Sequence, residues 1–302
     1  MPTLLDLALP WQFSPTVLLT TALAVVLYLR GMTGTAPAIT YPRRIAYFIG
    51  VGSIYLALQT ACVYYASHMF FVLQLQQFVL HDLGPALLAA AAPGAALWRG
   101  VPQRARTYLQ TAVRPLEAPL RLLLDARIAT VLYIVTQLVW LLPPIAFDVM
   151  LSTRLFKVMN WSAVLGALPF WHLILDPRPR PLARLRLRKR FVFLYLAMFP
   201  MTLASAALAF SQTNWYPVYA VCGRFMPISP VMDQELGGTA MWVPGAMLFG
   251  LVFFLFIGRR LDQAEIPLTS SLEGTSPGHA DPSRGIAADP ALGSRASATE
   301  RG

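Results

Sequence analysis

Seven long apolar stretches constrain this chain more than any other feature of its sequence. Each approaches or exceeds the roughly 20 residues that an α-helix needs to cross the hydrocarbon core of a bilayer. We therefore predict an all-α, polytopic integral membrane protein, a bundle of about seven transmembrane helices. The spans are expected near residues 15–29, 45–63, 68–92, 128–146, 157–175, 191–210 and 240–257.

The low charge content supports the same interpretation. Only 13% of the 302 residues are charged, whereas soluble domains carry about 25% charged residues. The net charge of +10 raises nucleic-acid binding as a hypothesis. The basic residues lie in loops between the apolar stretches, however, so we expect membrane lipid as a partner and no nucleic acid.

The distribution of Lys and Arg predicts the orientation of the bundle. Of the 24 Lys and Arg residues, 21 fall in alternate loops or near the C-terminus, and three fall on the opposite side: Arg154, Lys157 and Arg224. Because cytoplasmic loops are enriched in basic residues, we predict an N-terminus outside and a C-terminus in the cytoplasm.

The two ends of the chain differ in character. Asp6 precedes the first apolar stretch and Arg30 follows it, the reverse of a signal peptide, so we expect a retained first span. The C-terminal segment is rich in Ser, Gly, Pro and Ala, and we predict that it is disordered. The expected organisation is a membrane domain over residues 1–260 and a cytoplasmic tail over residues 261–302.

The third apolar stretch carries polar groups that are costly in a membrane. Gln74, Gln77 and His81 recur at intervals of three and four, which places them in one stripe on a helix. Asp82 is the only carboxylate within the predicted spans, and an ionisable group at membrane depth indicates function by default. Pro85 lacks the N–H that would bind the carbonyl of His81, so we expect a freed carbonyl and a kink. The alternative is that these side chains only join helices through hydrogen bonds.

A possible metal site lies at the predicted outer end of the same span. Soft sulfur and imidazole ligands suit Cu(I), so His68 and Met69, with His81 deeper in the span, are tentative copper ligands. The predicted topology brings further candidates to this face: Cys62, Cys222, Met226, Met232, Asp233 and Met241. The alternatives are that the sulfur side chains only pack, or that the two cysteines form a disulfide.

A polar, glycine-rich segment precedes the seventh apolar stretch. It reads Asp233-Gln234-Glu235-Leu236-Gly237-Gly238, and the glycine pair favours a tight, close-packed backbone turn. The segment either only builds the start of the helix or binds a partner directly. The functional candidates besides the metal ligands are Asp82, Pro85, Asp233, Gln234, Gly237, Gly238 and Trp242.

The residues from Asp233 to Gly245 resemble the DQxxGGxxMWxPG signature of the multi-helix CtaG family of cytochrome c oxidase assembly proteins. Further similarities follow in order along residues 11–260: Trp11-Gln12-Phe13-Ser14-Pro15, His68-Met69, Gly84-Pro85-Ala86-Leu87-Leu88 and Asp176-Pro177-Arg178. The resemblance implies a seven-helix protein of the bacterial cytoplasmic (inner) membrane. It also implies a role with cytochrome c oxidase subunits in maturing a haem–copper oxidase, with copper as a candidate cofactor.

The chain departs from the family pattern at three positions where the family has histidine. Val72 stands four residues after His68, Leu141 stands in place of the histidine of an HxP motif, and Asn160 lies near the start of the fifth span. The resemblance therefore supports the assembly role better than it supports a metal site.

Three classes of function remain to be compared. We predict a non-catalytic assembly factor, because the resemblance of the Asp233–Gly245 segment favours it. The chain also has no zinc-type CxxC spacing and no Walker, GxSxG or HExxH motif. The alternative is a membrane copper transporter or channel-like protein, since the polar stripe and Pro143, Pro144 and Pro200 would permit broken helices. A membrane enzyme would need a cluster of acid, base or metal groups, and only His81 and Asp82 lie at depth.

Overall fold

The computed structural model describes residues 13–33, 39–178 and 183–273, with side chains for all of these except Cys222 and residues 259–273. Every secondary-structure element within these ranges is helical, as predicted. The α-helices are α1 Pro15–Met32, α2 Tyr41–Gln59, α3 Cys62–His68, α4 Phe70–Gln77, α5 Gly84–Ala91, α6 Gly94–Gly100, α7 Gln103–Val113, α8 Glu117–Leu123, α9 Ala126–Leu141, α10 Pro143–Leu151, α11 Thr153–Ile174, α12 Leu187–Phe210, α13 Val218–Cys222 and α14 Pro230–Glu273.

Helices lie at all seven positions where the sequence predicts spans. Three of them are long and apolar enough to cross a membrane, namely α1, α12 and the part of α14 over Pro230–Gly258. Two bent pairs also qualify if each pair is one span: Phe70–Ala91 with α6, bent by 73°, and Gln103–Leu123 with α9, bent by 81°. The structure thus supports three to five candidate spans, and the number seven stays a prediction.

The third predicted span is a chain of short helical pieces. It begins at His68, the last residue of α3, breaks at the extended residue Met69 (φ −139°, ψ 128°), and resumes as α4. A π-helix over Phe78–Leu83 then leads into α5. The sharp bend that ends this segment lies at Ala92, whose φ of 47° is left-handed.

The π-helix accommodates Pro85, which lies in the first turn of α5. The predicted freed carbonyl of His81 is confirmed, because Trp171 of α11 donates its indole N–H to it at 3.1 Å. A π-helical turn is one of the ways in which a helix absorbs a residue that cannot donate. The span therefore gains a hydrogen bond to α11 at the point where its own series of backbone hydrogen bonds is interrupted.

The largest apolar cluster lies around the π-helix and Trp171. Its aromatic members come from α9, α11 and α14, and they include Tyr133, Phe170, Trp171, Phe249 and Phe256. Tyr133 stacks on Phe170 with ring centroids 4.3 Å apart. The cluster fixes α9 and α11 beside the π-helix and so sets the surroundings of His81.

The chain divides into two units at Phe256, and the first unit contains all the sites described below. Helix α14 is described as far as Glu273. The rest of the predicted tail, residues 274–302, lies outside the described residues, so its disorder and the domain boundary at residue 260 stay predictions.

Candidate functional site

Asp233 of α14 caps the start of α4, 163 residues earlier in the chain. Its Oδ2 accepts the backbone N–H of Phe70 at 3.1 Å, and its Oδ1 accepts that of Phe71 at 3.0 Å. The first N–H groups of a helix have no partner within the helix, and a carboxylate there is also favoured by the helix dipole. The break at Met69 creates these free N–H groups, and we name the surrounding contacts the Asp233 junction.

The junction is a closed electrostatic arrangement. The side chain of Asp233 is 1% exposed, and Arg224, 11% exposed, places its Nε 3.4 Å from Oδ2. A carboxylate buried in this way is stable only when it is paired and hydrogen-bonded. Two backbone donors and a guanidinium supply both conditions, so the carboxylate of Asp233 is already committed to holding α4, α14 and Arg224 together.

Gln234 extends the junction to the segment that follows α12. Its Oε1 accepts the backbone N–H of Trp215 at 2.8 Å, and its Nε2 donates to the carbonyl of Thr213 at 3.0 Å. The side chain is 1% exposed. Both ends of the amide are therefore used to hold a loop against α14.

The two glycines of the signature lie inside α14, and the predicted backbone turn at this point is wrong. The helix begins at Pro230, because its polar first residues find partners in the junction. A Cβ on Gly237 would overlap the ring of Phe70, and one on Gly238 would lie 2.7 Å from the carbonyl oxygen of Ser205. The missing side chains thus let α14 pack directly on α4 and α12.

The tentative copper ligands fall into two places. His68 donates from Nδ1 to the carbonyl of Tyr64 at 2.7 Å, which leaves Nε2 with a lone pair. Met69 is wholly buried at the junction. His81 lies 13 residues after His68, which corresponds to roughly 20 Å along a helix, and has different neighbours.

The cysteines are described only in part. Cys62 is half-buried and carries a free thiol. The side chain of Cys222 lies outside the described residues.

His81 lines a small cavity, which we name the His81 cavity. Its volume is about 30 Å³, enough to hold a water molecule. Trp242, the last candidate of the signature segment, is among its lining residues, which also include His81, Asp82, Tyr133, Gln137, Met198, Met201 and Met241.

The hydrogen bonds around His81 fix its tautomer. Nε2 lies 3.0 Å from the backbone carbonyl of Tyr133, and a carbonyl can only accept, so Nε2 carries a proton and the lone pair of the neutral ring is on Nδ1. Nδ1 faces Oδ2 of Asp82 at 3.9 Å, beyond hydrogen-bond distance. The other oxygen of Asp82 accepts a hydrogen bond from the hydroxyl of Tyr133. Nδ1 and the carboxylate therefore face each other at the cavity.

The glutamines of the third predicted span differ from His81. Gln76 donates to the carbonyl of Ala57 at 2.7 Å, which ties α4 to α2. Gln77 donates to Oδ1 of Asn160 at 2.8 Å, which ties α4 to α11. The interpretation that these side chains join helices fits both contacts. Gln74 is buried as well, and its Oε1 has no hydrogen-bond partner.

Sequence reasoning missed four residues of these sites. Arg224 pairs with a carboxylate 9 residues later and Tyr133 with one 51 residues earlier, and no local pattern indicates either contact. Met198 and Met201 carry a usable signal, because an interval of three places both on one face of α12. Both fall within the apolar span predicted over 191–210.

The motif Asp176-Pro177-Arg178 closes the end of α11. The carboxylate of Asp176 accepts from Nε and from a terminal nitrogen of Arg178, both at 2.8 Å. Arg190 donates to the carbonyls of Ile174 and Asp176 at 3.0 and 2.8 Å. Burial raises the pKa of Asp176, but the hydrogen bonds from Arg178 outweigh it and hold the pKa below its ordinary value. This motif is a helix terminus stabilised by two arginines.

Comparisons with curated proteins and with solved structures give no match. A family model described as Cytochrome c oxidase caa3 assembly factor (Caa3_CtaG) matches residues 22–263. This range includes the Asp233 junction, the His81 cavity and the Asp176 motif. The chain therefore belongs to the cytochrome c oxidase caa3 assembly factor family, as the resemblance of its Asp233–Gly245 segment predicted.

Proposed function

We propose that the protein is a non-catalytic membrane factor that acts in the maturation of a cytochrome c oxidase, at the copper centre of that enzyme. The observation that carries the proposal is the family match over residues 22–263. The signature residues Asp233 and Gln234 and the two glycines hold helices together, which is a structural rather than a catalytic role. The partners are oxidase subunits and membrane lipid.

The proposal includes a seven-span topology in the bacterial cytoplasmic membrane. Each predicted span coincides with described helices, and 21 of the 24 Lys and Arg residues fall on one side of that topology. This side is the cytoplasmic one by the positive-inside rule. The Asp233 junction then lies towards the outer face, and the His81 cavity lies deeper in the membrane.

Copper remains the proposed cofactor. His68 uses Nδ1 for the carbonyl of Tyr64 and leaves Nε2 for a ligand, and Met69 provides a thioether next to it. Both residues are proposed ligands at the outer end of the bundle. His81 belongs to a second location, which is considered separately below.

Deletion of the gene tests the assembly role. We expect the haem absorbance of the cytochrome c oxidase to disappear while total cell copper stays normal, and a plasmid copy of the gene to restore the absorbance. Normal oxidase absorbance in the deletion strain would contradict the proposal. Disturbed cell copper, with oxidase rescued by added copper, would instead support the transporter alternative.

Labelling of intact cells tests the topology. A tag fused after Gly302 should stay inaccessible from outside, whereas a tag inserted at the exposed Pro227, between α13 and α14, should be accessible. The Pro227 tag serves as the control for expression and labelling. An accessible tag at the C-terminus would overturn the proposed orientation.

A further inference from the structure

We propose that the His81 cavity is a binding site for one Cu(I) ion. The ligands are Nδ1 of His81 and thioether sulfurs from Met198, Met201 and Met241, and Asp82 supplies the balancing charge. The inference deepens the proposed function. It rests on that function for the role of the bound copper, which is to be used in oxidase maturation. The site itself is argued from the residues that line the cavity.

The imidazole is oriented as a metal ligand. A ligating histidine almost always donates its second ring nitrogen to a backbone carbonyl or carboxylate, which fixes the ring and the tautomer. His81 donates from Nε2 to the carbonyl of Tyr133 at 3.0 Å. Its backbone carbonyl is held in turn by the indole of Trp171 at 3.1 Å. The ring is thus fixed with its lone pair on Nδ1.

Three methionines line the same cavity from two helices. Met198 and Met201 come from α12, and Met241 comes from α14. Methionine side chains are flexible enough to adjust their sulfur positions around an ion. Thioether and imidazole ligands select Cu(I) among the first-row metals.

The donor set disfavours the commoner divalent ions. Zinc sites use Cys, His, Asp and Glu, usually three or four together. Among the residues that the structure describes, no three such side chains are grouped to hold a metal ion. One imidazole and one carboxylate with several sulfurs instead suit a soft, monovalent ion.

The charges also favour a monovalent cation. A buried ion is stable only when an opposite charge accompanies it. His81 is 1% exposed and Asp82 is 14% exposed, so both lie largely out of water. Cu(I) next to the carboxylate of Asp82 forms a neutral pair, whereas a divalent ion there would leave a net positive charge. Tyr133 keeps the carboxylate in place through its hydroxyl.

An apolar groove lies next to the cavity. It runs between α12 and α14 with a volume of about 590 Å³, and Phe191, Tyr195 and Phe253 line it. The groove and the cavity share Met198, Ala246 and Phe249 as lining residues. Movement of the Met198 side chain would join the two spaces, which gives the ion a route that avoids the packed interior.

Titration of the purified, full-length chain in detergent tests the site. Cu(I) is added under anaerobic, reducing conditions in competition with a chromophoric Cu(I) chelator, and Zn(II) is titrated in parallel. We expect one Cu(I) per chain at the His81 cavity and an X-ray absorption spectrum at the copper edge with both sulfur and nitrogen neighbours. A spectrum without sulfur, or Zn(II) binding as tight as Cu(I) binding, would overturn the inference.

A conservative triple variant locates the sulfur ligands. Met198→Leu, Met201→Leu and Met241→Leu together keep the side-chain volume nearly constant but remove all three thioethers. We expect this variant to lose the stoichiometric Cu(I). The matched control is Met232→Leu with Met247→Leu on α14, whose side chains are 48% and 71% exposed and which should bind Cu(I) like the wild type. Unchanged binding by the triple variant would refute the site.

Two further variants keep the inference testable if the triple variant does not fold. Asp82→Asn should weaken the Cu(I) affinity about 10–100-fold, as the loss of an outer-shell partner does. Replacement of His68 by Gln and Met69 by Leu should leave the copper of the His81 cavity in place. Loss of that copper in the His68 and Met69 variant, or unaltered affinity in Asp82→Asn, would contradict the assignment.

The failure of this inference is distinguishable from that of the proposed function. If the chain binds no Cu(I) but deletion of the gene abolishes the oxidase absorbance, the copper site is wrong and the assembly role stands. If the chain binds Cu(I) at the cavity but the deletion strain has normal oxidase, the assembly role is wrong and the site stands.

Discussion

The Asp233 junction and the His81 cavity both remove a carboxylate from water, but they surround it differently. Asp233 receives two backbone N–H groups and a guanidinium. Asp82 accepts one hydrogen bond, from the phenol of Tyr133, lies 3.9 Å from Nδ1 of His81, and lines the His81 cavity. The first carboxylate is therefore fully partnered by the protein, whereas the second shares a cavity with an imidazole and three methionines. We infer that the junction stabilises the fold and that the cavity acts on a ligand.

The largest expected effect is that of Asp233→Ala, which would leave Arg224 and two backbone N–H groups buried without a partner. Breaking a buried pair in this way should lower the free energy of unfolding by about 3–5 kcal/mol. Unfolding in denaturant of the detergent-solubilised protein measures it. The control is Glu235→Ala, which removes only an exposed contact to Gln212. Equal, small effects of both substitutions would mean that the junction does not stabilise the fold.

Gly238→Ala tests the close packing of α14 at the junction. The added Cβ would meet the backbone of α12 2.7 Å from the carbonyl oxygen of Ser205, so we expect a loss of about 1–3 kcal/mol from overpacking. Gly250→Ala on the same helix meets nothing within 4 Å and should be neutral or stabilise by roughly 0.5–1 kcal/mol. Thermal unfolding of the two variants should therefore shift in opposite directions. A shift in the same direction would show that α14 does not pack as described.

Trp171→Phe tests the hydrogen bond that holds the backbone of His81 at the cavity. It leaves the carbonyl of His81 without its indole donor, and we expect a loss of about 1–3 kcal/mol. In a Pro85→Ala background the new N–H at position 85 can bind this carbonyl, so the loss should be smaller there. A double-mutant cycle measures the difference. The same loss in both backgrounds would show that Pro85 does not make the indole bond necessary.

The smallest expected effect concerns Asp176, at the end of α11. Its pKa is below the ordinary value of 3.8, because the hydrogen bonds from Arg178 outweigh the effect of burial. A carboxyl group with a lowered pKa contributes stability that is complete above its ordinary pKa and is lost as the pH falls through the lowered pKa. The difference in the free energy of unfolding between the wild type and Asp176→Asn should therefore shrink as the pH is lowered from 7 to 3. A difference that stays constant would contradict this account of the motif.

Hydropathy and proline chemistry predicted much of this molecule. The apolar stretches locate the helices because a helix is the simplest way to satisfy backbone groups in lipid. The absent N–H of Pro85 predicted the freed carbonyl of His81, since that bond depends only on local sequence. The resemblance of the Asp233–Gly245 segment gave the family.

The remaining features depend on contacts between distant parts of the chain. The single extended residue Met69 is stable because Asp233 caps the helix that follows, and no local pattern of α3 or α4 indicates it. Gly237 and Gly238 were predicted to form a turn, but glycine equally permits close approach of helices, and only the position of Phe70 decides between the two. Met198, Met201 and Met241 look like ordinary apolar residues until the fold brings them to one cavity.

The most direct test of the difference between the two regions is the haem absorbance of the oxidase, divided by the amount of folded protein in the membrane. For Asp233→Ala we expect both quantities to fall together, so that the ratio stays near that of the wild type. For the Met198, Met201 and Met241 triple variant we expect normal amounts of folded protein and a ratio that falls at least about tenfold, as for lost metal-site contacts. A normal ratio in the triple variant, with a collapsed ratio in Asp233→Ala, would contradict the account.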